Sequence, residues 1–236
     1  MRTLPILTLL ATVAFVAAPA VTPPFMGYAP DQFPVLILRP SIQPAGYAFA
    51  IWGVIYLWLI AHAAFGLWRR PDDPAWQPSR LPLLAAVGLG TVWLAIAVAA
   101  PLTATATIVV MAALAIAAFL RADPTQDRWL LSAPTGIFAG WLTAASAVSV
   151  GVVMGGYGWL SDTGSALALL GIVLVLATLV QSRRPAMPIF GATVVWALIG
   201  VVVVNWGSVA LVAYAALIGA VLLTTATAVL YRRAAA

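Results

Sequence analysis

Cysteine, lysine and glutamate are absent from this chain of 236 residues, and histidine occurs only once. Without cysteine there is no disulfide framework and no thiolate zinc site, so the redox compartment is not indicated. One histidine cannot form a histidine metal cluster, and the sequence offers neither paired carboxylates nor a Ser/His/Asp set. We therefore expect no metal site, no required cofactor and no catalytic residues, and an enzyme is disfavoured.

Charged residues of any kind are scarce. They make up 7% of the chain, against 64% hydrophobic residues and a mean hydropathy of +1.08. A soluble domain carries about 25% charged residues, and a globule this poor in charge does not stay in water. The net charge of +5 comes from arginines in ones and twos at the ends of apolar runs, not from a basic stripe. The composition excludes a cytosolic enzyme, a disordered chain and a nucleic-acid partner, and it predicts an integral protein of the lipid bilayer.

Eight apolar segments follow one another along the chain. Most are close to the roughly 20 residues that a membrane-spanning helix needs, and all exceed the strand of a barrel. Because the bilayer core contains no water, every backbone polar group must bond internally, which favours helices. We predict an all-α, polytopic bundle with spans at Leu4–Val21, Ala45–Trp68, Leu81–Ala100, Thr103–Leu120, Trp129–Met154, Ser165–Val180, Met187–Val204 and Val209–Tyr231.

The arginines test this number of spans. When the loops are numbered alternately, ten of the eleven arginines, Arg2 included, fall on the side of the N-terminus, and Arg39 alone falls on the other. A wrong number of spans would mix the two sides. Positive-inside bias therefore predicts that both termini and the arginine-bearing loops are cytoplasmic.

The first segment has a second interpretation. Arg2, the apolar stretch and Ala18-Pro19-Ala20 together resemble a secretory signal with its cleavage site. The run is longer than a usual signal core, which favours a retained helix. Either interpretation leaves the next loop outside.

That next loop, Thr22–Pro44, is the longest and contains six prolines. Proline prevents the loop from continuing either neighbouring helix. Its apolar residues include Phe25, Met26 and Phe33. The loop is therefore either a lid that packs on the bundle or an extended connector at the membrane interface.

None of the eight predicted spans contains Asp or Arg. Ion-coupled carriers usually hold a carboxylate inside the membrane, and voltage sensors hold arginines there. A pump or a coupled antiporter is therefore disfavoured.

Aromatic residues fall into two groups. Those near the segment ends suit an interfacial belt, and they are Trp68, Trp76, Trp129, Trp159, Trp206 and Tyr231. The others concentrate in the second span where, at about 100° per residue, Phe49, Trp52 and Tyr56 share one face and Tyr47 and His62 lie nearly opposite. One face is expected to look into the bundle, where it either packs against helices or stacks on a flat apolar ligand. His62 either contacts a ligand or donates to a neighbouring carbonyl or hydroxyl, which is the commoner role.

The fifth span carries Trp141 deep within it, then Thr143, and small residues at four-residue spacing at Ala147, Gly151 and Gly155. Small residues at this spacing let another helix approach closely. That helix belongs either to the same chain or to a second copy, so a homodimer stays open.

Residues 40–56 read P-S-I-Q-P-A-G-Y-A-F-A-I-W-G-V-I-Y. This stretch resembles the second-helix signature of the TspO/MBR family, the tryptophan-rich sensory proteins related to translocator protein, and it is similar above all to a longer bacterial branch. Trp93 and the sequence G-W-L-T-A-A at 140–145 resemble further tryptophan positions of the family. The chain departs from the family at Ile42, where tryptophan is typical, and at Ser149, where asparagine is common.

The resemblance implies a five-helix bundle over residues 1–155 with an additional three-helix extension over 156–236. It implies a sensor, binding protein or carrier for a hydrophobic planar ligand, with a tetrapyrrole as the expected ligand and a bacterial inner (cell) membrane as the location. The expected ligand contacts are then Tyr47, Phe49, Trp52, Tyr56, Trp93, Trp141 and Thr143. The alternatives are a transporter of another small metabolite, an enzyme that degrades a bound tetrapyrrole in light, and a scaffold without a ligand.

Overall fold

The computed structural model describes residues 3–23, 25 and 27–235. Two residues used in the predictions lie outside these ranges: Arg2, which was used for the membrane orientation, and Met26, which was used for the lid. Within the described part of the chain the backbone forms helices and turns, and no β-strand.

Eight α-helices follow one another in the described residues. They are α1 (Thr3–Val21), α2 (Ile51–Trp68), α3 (Gln77–Ala99), α4 (Pro101–Arg121), α5 (Ser132–Gly156), α6 (Asp162–Arg183), α7 (Ile189–Asn205) and α8 (Ala210–Ala235). Short 3-10 helices occupy Pro30–Gln32 and Gly46–Ala50, and the second runs directly into α2. Seven helices are long and apolar enough to cross a membrane, whereas α7, with 17 residues, is apolar but shorter. The predicted all-α polytopic bundle is confirmed.

Loops that carry arginine meet at one end of the bundle, which we call the arginine end. Arg70, after α2, donates from Nε to the Asp127 carboxylate before α5 at 2.8 Å. Arg128, in the same α4–α5 loop, donates from Nη2 to the carbonyl of Ala186, between α6 and α7, at 3.0 Å. Three of the loops that the arginine pattern assigns to one side are therefore in contact.

The long loop before α2 packs on the opposite end, which we call the loop end. The backbone N–H of Val35 donates to the carbonyl of Gly156 at the end of α5 at 2.9 Å. The backbone N–H of Ser41 donates to the Asp162 carboxylate at the start of α6 at 3.1 Å, and Asn205, at the end of α7, donates from Nδ2 to the Ser41 carbonyl at 2.8 Å. These bonds fasten the loop to three helices, so it is a packed lid and not an extended connector.

The helix α5 lies at the centre of the bundle. Of its 25 residues 20 are buried, and it packs against α2, α4, α6 and α7. Its small residues serve contacts within the chain: a Cβ added to Gly140 would lie 2.7 Å from the carbonyl oxygen of Phe190 in α7, and one added to Gly151 would lie 3.1 Å from Ile42 in the lid. Of the residues at four-residue spacing, Gly151 approaches the lid and not a second helix, whereas the close approach of a helix is made by this chain's own α7 at Gly140.

One helix end differs from the predicted run in an informative way. The helix α3 begins at Gln77, four residues before the apolar segment, so that Arg80 lies in its first turn. Arg80 is 2% exposed, and its guanidinium donates to the carbonyls of Gly66, Arg70 and Pro71 at 3.0, 2.5 and 2.7 Å. Free carbonyls at a helix C-terminus attract such donors, and hydropathy alone does not reveal the match.

The belt prediction fails for one tryptophan. Trp68, Trp129, Trp159 and Trp206 are exposed near helix ends, but Trp76 is fully buried. Its indole donates to the Asp127 carboxylate at 2.9 Å. A polar partner in the neighbouring loop lets an indole near a span end be buried instead of exposed.

Candidate functional site

A cavity of about 490 Å³ lies inside the bundle beneath the lid. Its walls come from α1 to α5, from the lid and the following 3-10 helix, and, through Ala197, from α7. Ligand pockets commonly measure about 300–1,000 Å³. Eight of the described residues that line it are aromatic: Phe15, Phe25, Tyr28, Phe49, Trp52, Tyr56, Trp93 and Trp141.

Five of these rings form one continuous surface, the aromatic wall, which consists of Phe15, Phe49, Trp52, Tyr56 and Trp141. Trp52 and Tyr56 are stacked, with ring centroids 5.2 Å apart and planes inclined by 27°. Phe15 meets both edge-on at 5.9 and 5.4 Å, and Trp141 meets Trp52 and Phe49 edge-on at 6.2 and 5.6 Å. Because each ring is held by at least one other ring in a favoured geometry, the wall is a preformed apolar surface.

A second set of rings lies beneath the lid. Trp93 donates its indole N–H to the Ala104 carbonyl at 2.8 Å, which fixes the ring between α3 and α4. Phe25 of the lid contacts Trp93 edge-on at 5.3 Å and Tyr28 at 5.6 Å. The lid therefore contributes lining residues and does not merely cover the cavity.

Three hydroxyl groups join the lid to the bundle in what we call the hydroxyl triangle: Tyr28, Thr105 and Ser149. The Tyr28 oxygen lies 2.5 Å from Ser149 Oγ and 3.1 Å from Thr105 Oγ1, and the last two lie 2.8 Å apart. Burial raises the pKa of Tyr28 above its usual value, although the bonds to Ser149 and Thr105 oppose this. The phenol is therefore neutral at physiological pH and retains its hydroxyl proton for these bonds.

Helix α7 bonds the backbone just before α2, within the stretch 40–56. The backbone N–H of Ala45 donates to the Gly200 carbonyl at 3.0 Å, and Trp196 donates its indole N–H to the Ala48 carbonyl at 3.0 Å. A Cβ on Gly200 would lie 2.8 Å from Cβ of Pro44, so glycine permits this approach. Helix α7 thereby sets the position of the 3-10 helix that carries Phe49 into the cavity.

Of the seven residues expected to contact a ligand, five line the cavity: Phe49, Trp52, Tyr56, Trp93 and Trp141. The other two do not. Tyr47 is 45% exposed and packs edge-on against Trp196 at 5.6 Å. Thr143 is buried and donates its hydroxyl to the Ala139 carbonyl at 2.8 Å, one helical turn earlier.

His62 lies outside the cavity, near the arginine end. Its Nδ1 is 2.7 Å from the carbonyl oxygen of Leu130, and since a carbonyl can only accept, Nδ1 carries the proton. The ring stacks on Trp76 with centroids 4.9 Å apart. The arrangement corresponds to the commoner of the two predicted roles, donation to a neighbouring carbonyl.

Sequence reasoning missed Phe15 and Tyr28 as lining residues, and it treated Ser149 only as a departure from the family. Phe15 is the only aromatic residue of α1, which is a weak signal for an inward position. Tyr28 lies in a loop without periodicity and bonds a residue 121 positions away. No local pattern could have predicted that contact.

The described lining of the cavity is mainly apolar and aromatic. None of the described residues that line it is Asp, Arg or His. Among the described residues there is also no cluster of His, Asp and similar side chains that could hold a metal ion. A flat apolar molecule would meet ring faces and edges on two sides.

One comparison with known proteins finds a match. A family model described as "TSPO-like protein" matches residues 3–229, which include α1 to α7 and most of α8. No curated protein and no solved structure matches the chain.

Proposed function

This chain belongs to the family of TSPO-like proteins, and on that premise we propose that it is a membrane-embedded sensor or binding protein for a hydrophobic planar molecule of the tetrapyrrole class. The chain is an integral membrane protein by its seven long apolar helices and its family. We further propose that it resides in a bacterial inner membrane.

The observation that carries the proposal is the aromatic wall inside the cavity. Aromatic pairs contribute about 0.5–1.5 kcal/mol each beyond the area that they bury. A planar ring system between the wall and Trp93 would contact several rings at once. That multiplicity favours a large flat ligand over a small or globular one.

Binding is better supported than passage across the membrane. Towards the arginine end the core is filled: Phe119 and Phe190 are fully buried and stack with centroids 5.6 Å apart. Near the same end the buried rings of His62, in α2, and Trp76 stack on each other. A transporter would have to open this packed half.

The test is a titration of the detergent-purified full chain with protoporphyrin, followed by tryptophan fluorescence and by the porphyrin absorbance band. We expect saturable quenching at one site per chain, and a Trp52→Leu variant should weaken binding about tenfold because it removes one stacked ring, equivalent to about 1.4 kcal/mol.

The matched control is Trp206→Leu, since this indole is exposed and does not line the cavity. It should leave the affinity unchanged. The proposal would be contradicted if porphyrin left the fluorescence of the parent protein unaltered, or if both variants lost affinity for it equally.

A further inference from the structure

Four arginines at the ends of α6 and α8 form a group that we call the arginine quartet: Arg183, Arg184, Arg232 and Arg233. The loops before α3 and α5 mix their arginines with aspartates, Asp72 and Asp73 in the first loop and Asp123 and Asp127 in the second. Residues 156–236 contain only Asp162, which lies at the loop end. The extension therefore brings four positive charges to the arginine end and no carboxylate of its own.

Contacts among α6, α7 and α8 bring the two pairs of the quartet close together. A Cβ added to Gly191, at the start of α7, would contact Thr227 Oγ1 of α8 and lie 3.0 Å from Gln181 Oε1 of α6. The first pair begins two residues after Gln181, and the second begins five residues after Thr227. Since α6 and α8 pack on each other and both run towards the arginine end, the two pairs lie within about two helical turns of one shared level.

Most guanidiniums of the quartet are open to an anion. Arg183, Arg232 and Arg233 are exposed, and among the described residues no ion pair joins them to a carboxylate. Arg184 is half-buried: its Nη2 donates to a backbone carbonyl at the end of α4, and Asp123 lies close enough to act on its charge. Three cationic groups thus face the surroundings of the protein without a partner from the described chain.

The surface around the quartet is that of a lipid site. A guanidinium binds phosphate through two parallel N–H donors, which an ammonium group does not offer. Tyr231, 40% exposed, precedes the second pair as an interfacial residue does. Below the quartet both helices expose apolar side chains, such as Leu179 and Leu222, against which acyl chains can pack. A phospholipid matches the basic and the apolar parts together, whereas a free phosphate matches only the basic one.

We propose that the arginine quartet binds an anionic phospholipid whose headgroup carries two phosphates, of the cardiolipin class. Each helix supplies one pair of guanidiniums for one phosphate, and basic groups between the ends of neighbouring helices are a recurrent surface for such headgroups. The site lies at the arginine end and the cavity lies beneath the lid, so this inference stands or falls independently of the proposed function.

The first test is a titration of the delipidated, detergent-purified full chain with tetraoleoyl cardiolipin, in which native mass spectrometry counts the lipids bound to each chain. Dioleoyl phosphatidylglycerol and dioleoyl phosphatidylcholine are the anionic and the zwitterionic references with one phosphate. We expect one saturable cardiolipin site, with an affinity about tenfold above that for phosphatidylcholine. Equal affinities for cardiolipin and phosphatidylcholine overturn the site, and equal affinities for cardiolipin and phosphatidylglycerol overturn the selection of two phosphates.

The second test locates the site. Arg232→Gln combined with Arg233→Gln removes the pair of α8 and should weaken cardiolipin binding about tenfold. The matched control, Arg39→Gln combined with Arg69→Gln, removes the same charge at exposed positions outside the quartet and should leave the affinity unchanged. Equal losses in the two double variants would mean attraction by net charge alone and overturn the inference. If the α8 variant does not fold, Arg183→Gln on α6 decides, with an expected loss of about threefold.

Discussion

At the residue scale, the polar side chains of the arginine end serve the fold and not the cavity. Asp127 has a backbone φ of 48°, in the left-handed region that Asp and Asn tolerate better than most residues. Its carboxylate accepts from Arg70 and Trp76. The bond from Arg70 is the main reason why the pKa of Asp127 lies below its usual value; burial opposes this effect and the Trp76 bond adds to it.

This depressed pKa predicts how stability depends on pH. The charged carboxylate stabilises the fold above the unfolded pKa of about 3.9, and that stabilisation is lost as the pH falls through the lower folded value. We expect Asp127→Asn, which suits the same backbone, to lower the apparent Tm at pH 7 by about 2–4 °C. The variant should also show a smaller drop in Tm below about pH 4.

The measurement is a thermal scan in detergent between pH 3 and 8. Asp31→Asn, a change in an exposed turn of the lid, is the control and should follow the parent protein. If the apparent Tm of Asp127→Asn fell at acid pH by as much as that of the parent protein, this carboxylate would not contribute to the pH dependence of stability.

At the element scale, α7 determines the shape of the site. It is one of the last three helices, yet it supplies Ala197 to the cavity and bonds the 3-10 helix Gly46–Ala50 through Trp196 and Gly200. The site residues of the second span are therefore positioned by contacts with the extension. This coupling predicts that a change in α7 alters binding at a distance.

Gly200→Ala tests the coupling, because its added Cβ would lie 2.8 and 3.1 Å from Pro44 and Ala48, so the 3-10 helix must shift. We expect an apparent Tm lower by about 2–4 °C and weaker porphyrin binding. The matched control is Gly171→Ala in α6, where an added Cβ meets nothing within 4 Å. There the better helix propensity of alanine should leave the apparent Tm unchanged or raise it. If the two variants had the same Tm and the same porphyrin affinity, the argued role of α7 would be contradicted.

The same element shows what sequence could and could not predict. The spacing of Phe49, Trp52 and Tyr56 placed these rings on one face, and all three line the cavity. The same spacing places Tyr47 nearly opposite these rings, and Tyr47 packs against Trp196 and does not line the cavity; its expected role as a ligand contact came from the resemblance. Periodicity describes contacts within an element, whereas the partner of an element is set by long-range packing.

At the scale of the whole molecule, the apolar runs and the arginine positions were sufficient to predict the number and order of the helices. The weakest case is α7, whose 17 residues span about 26 Å at 1.5 Å per residue, less than the roughly 30 Å of a bilayer core. Its neighbours nevertheless place its ends at opposite ends of the bundle: Gln181 accepts from the N–H of Gly191 at the arginine end, and Asn205 bonds the lid.

We predict that Ser182 and Ser208, which flank α7, lie on opposite sides of the membrane. Since the chain has no cysteine, Ser182→Cys and Ser208→Cys each introduce a single thiol at an exposed position. A membrane-impermeant maleimide added to intact cells should label Ser208→Cys directly and Ser182→Cys only after permeabilisation. Labelling of both from outside, or of neither, would contradict the eight-span topology.

Part of the cavity lining is exposed at the surface of the molecule. Pro19, Pro23, Gly46 and Phe49 are exposed lining residues, and all but Pro23, which lies in the lid, belong to helices that are candidate spans. We predict that molecules dissolved in the acyl chains reach the cavity past these exposed residues, by diffusion in two dimensions. Occupancy then follows the mole fraction of ligand in the membrane: extra lipid at constant total ligand should empty the site, even when the aqueous concentration is too low to measure.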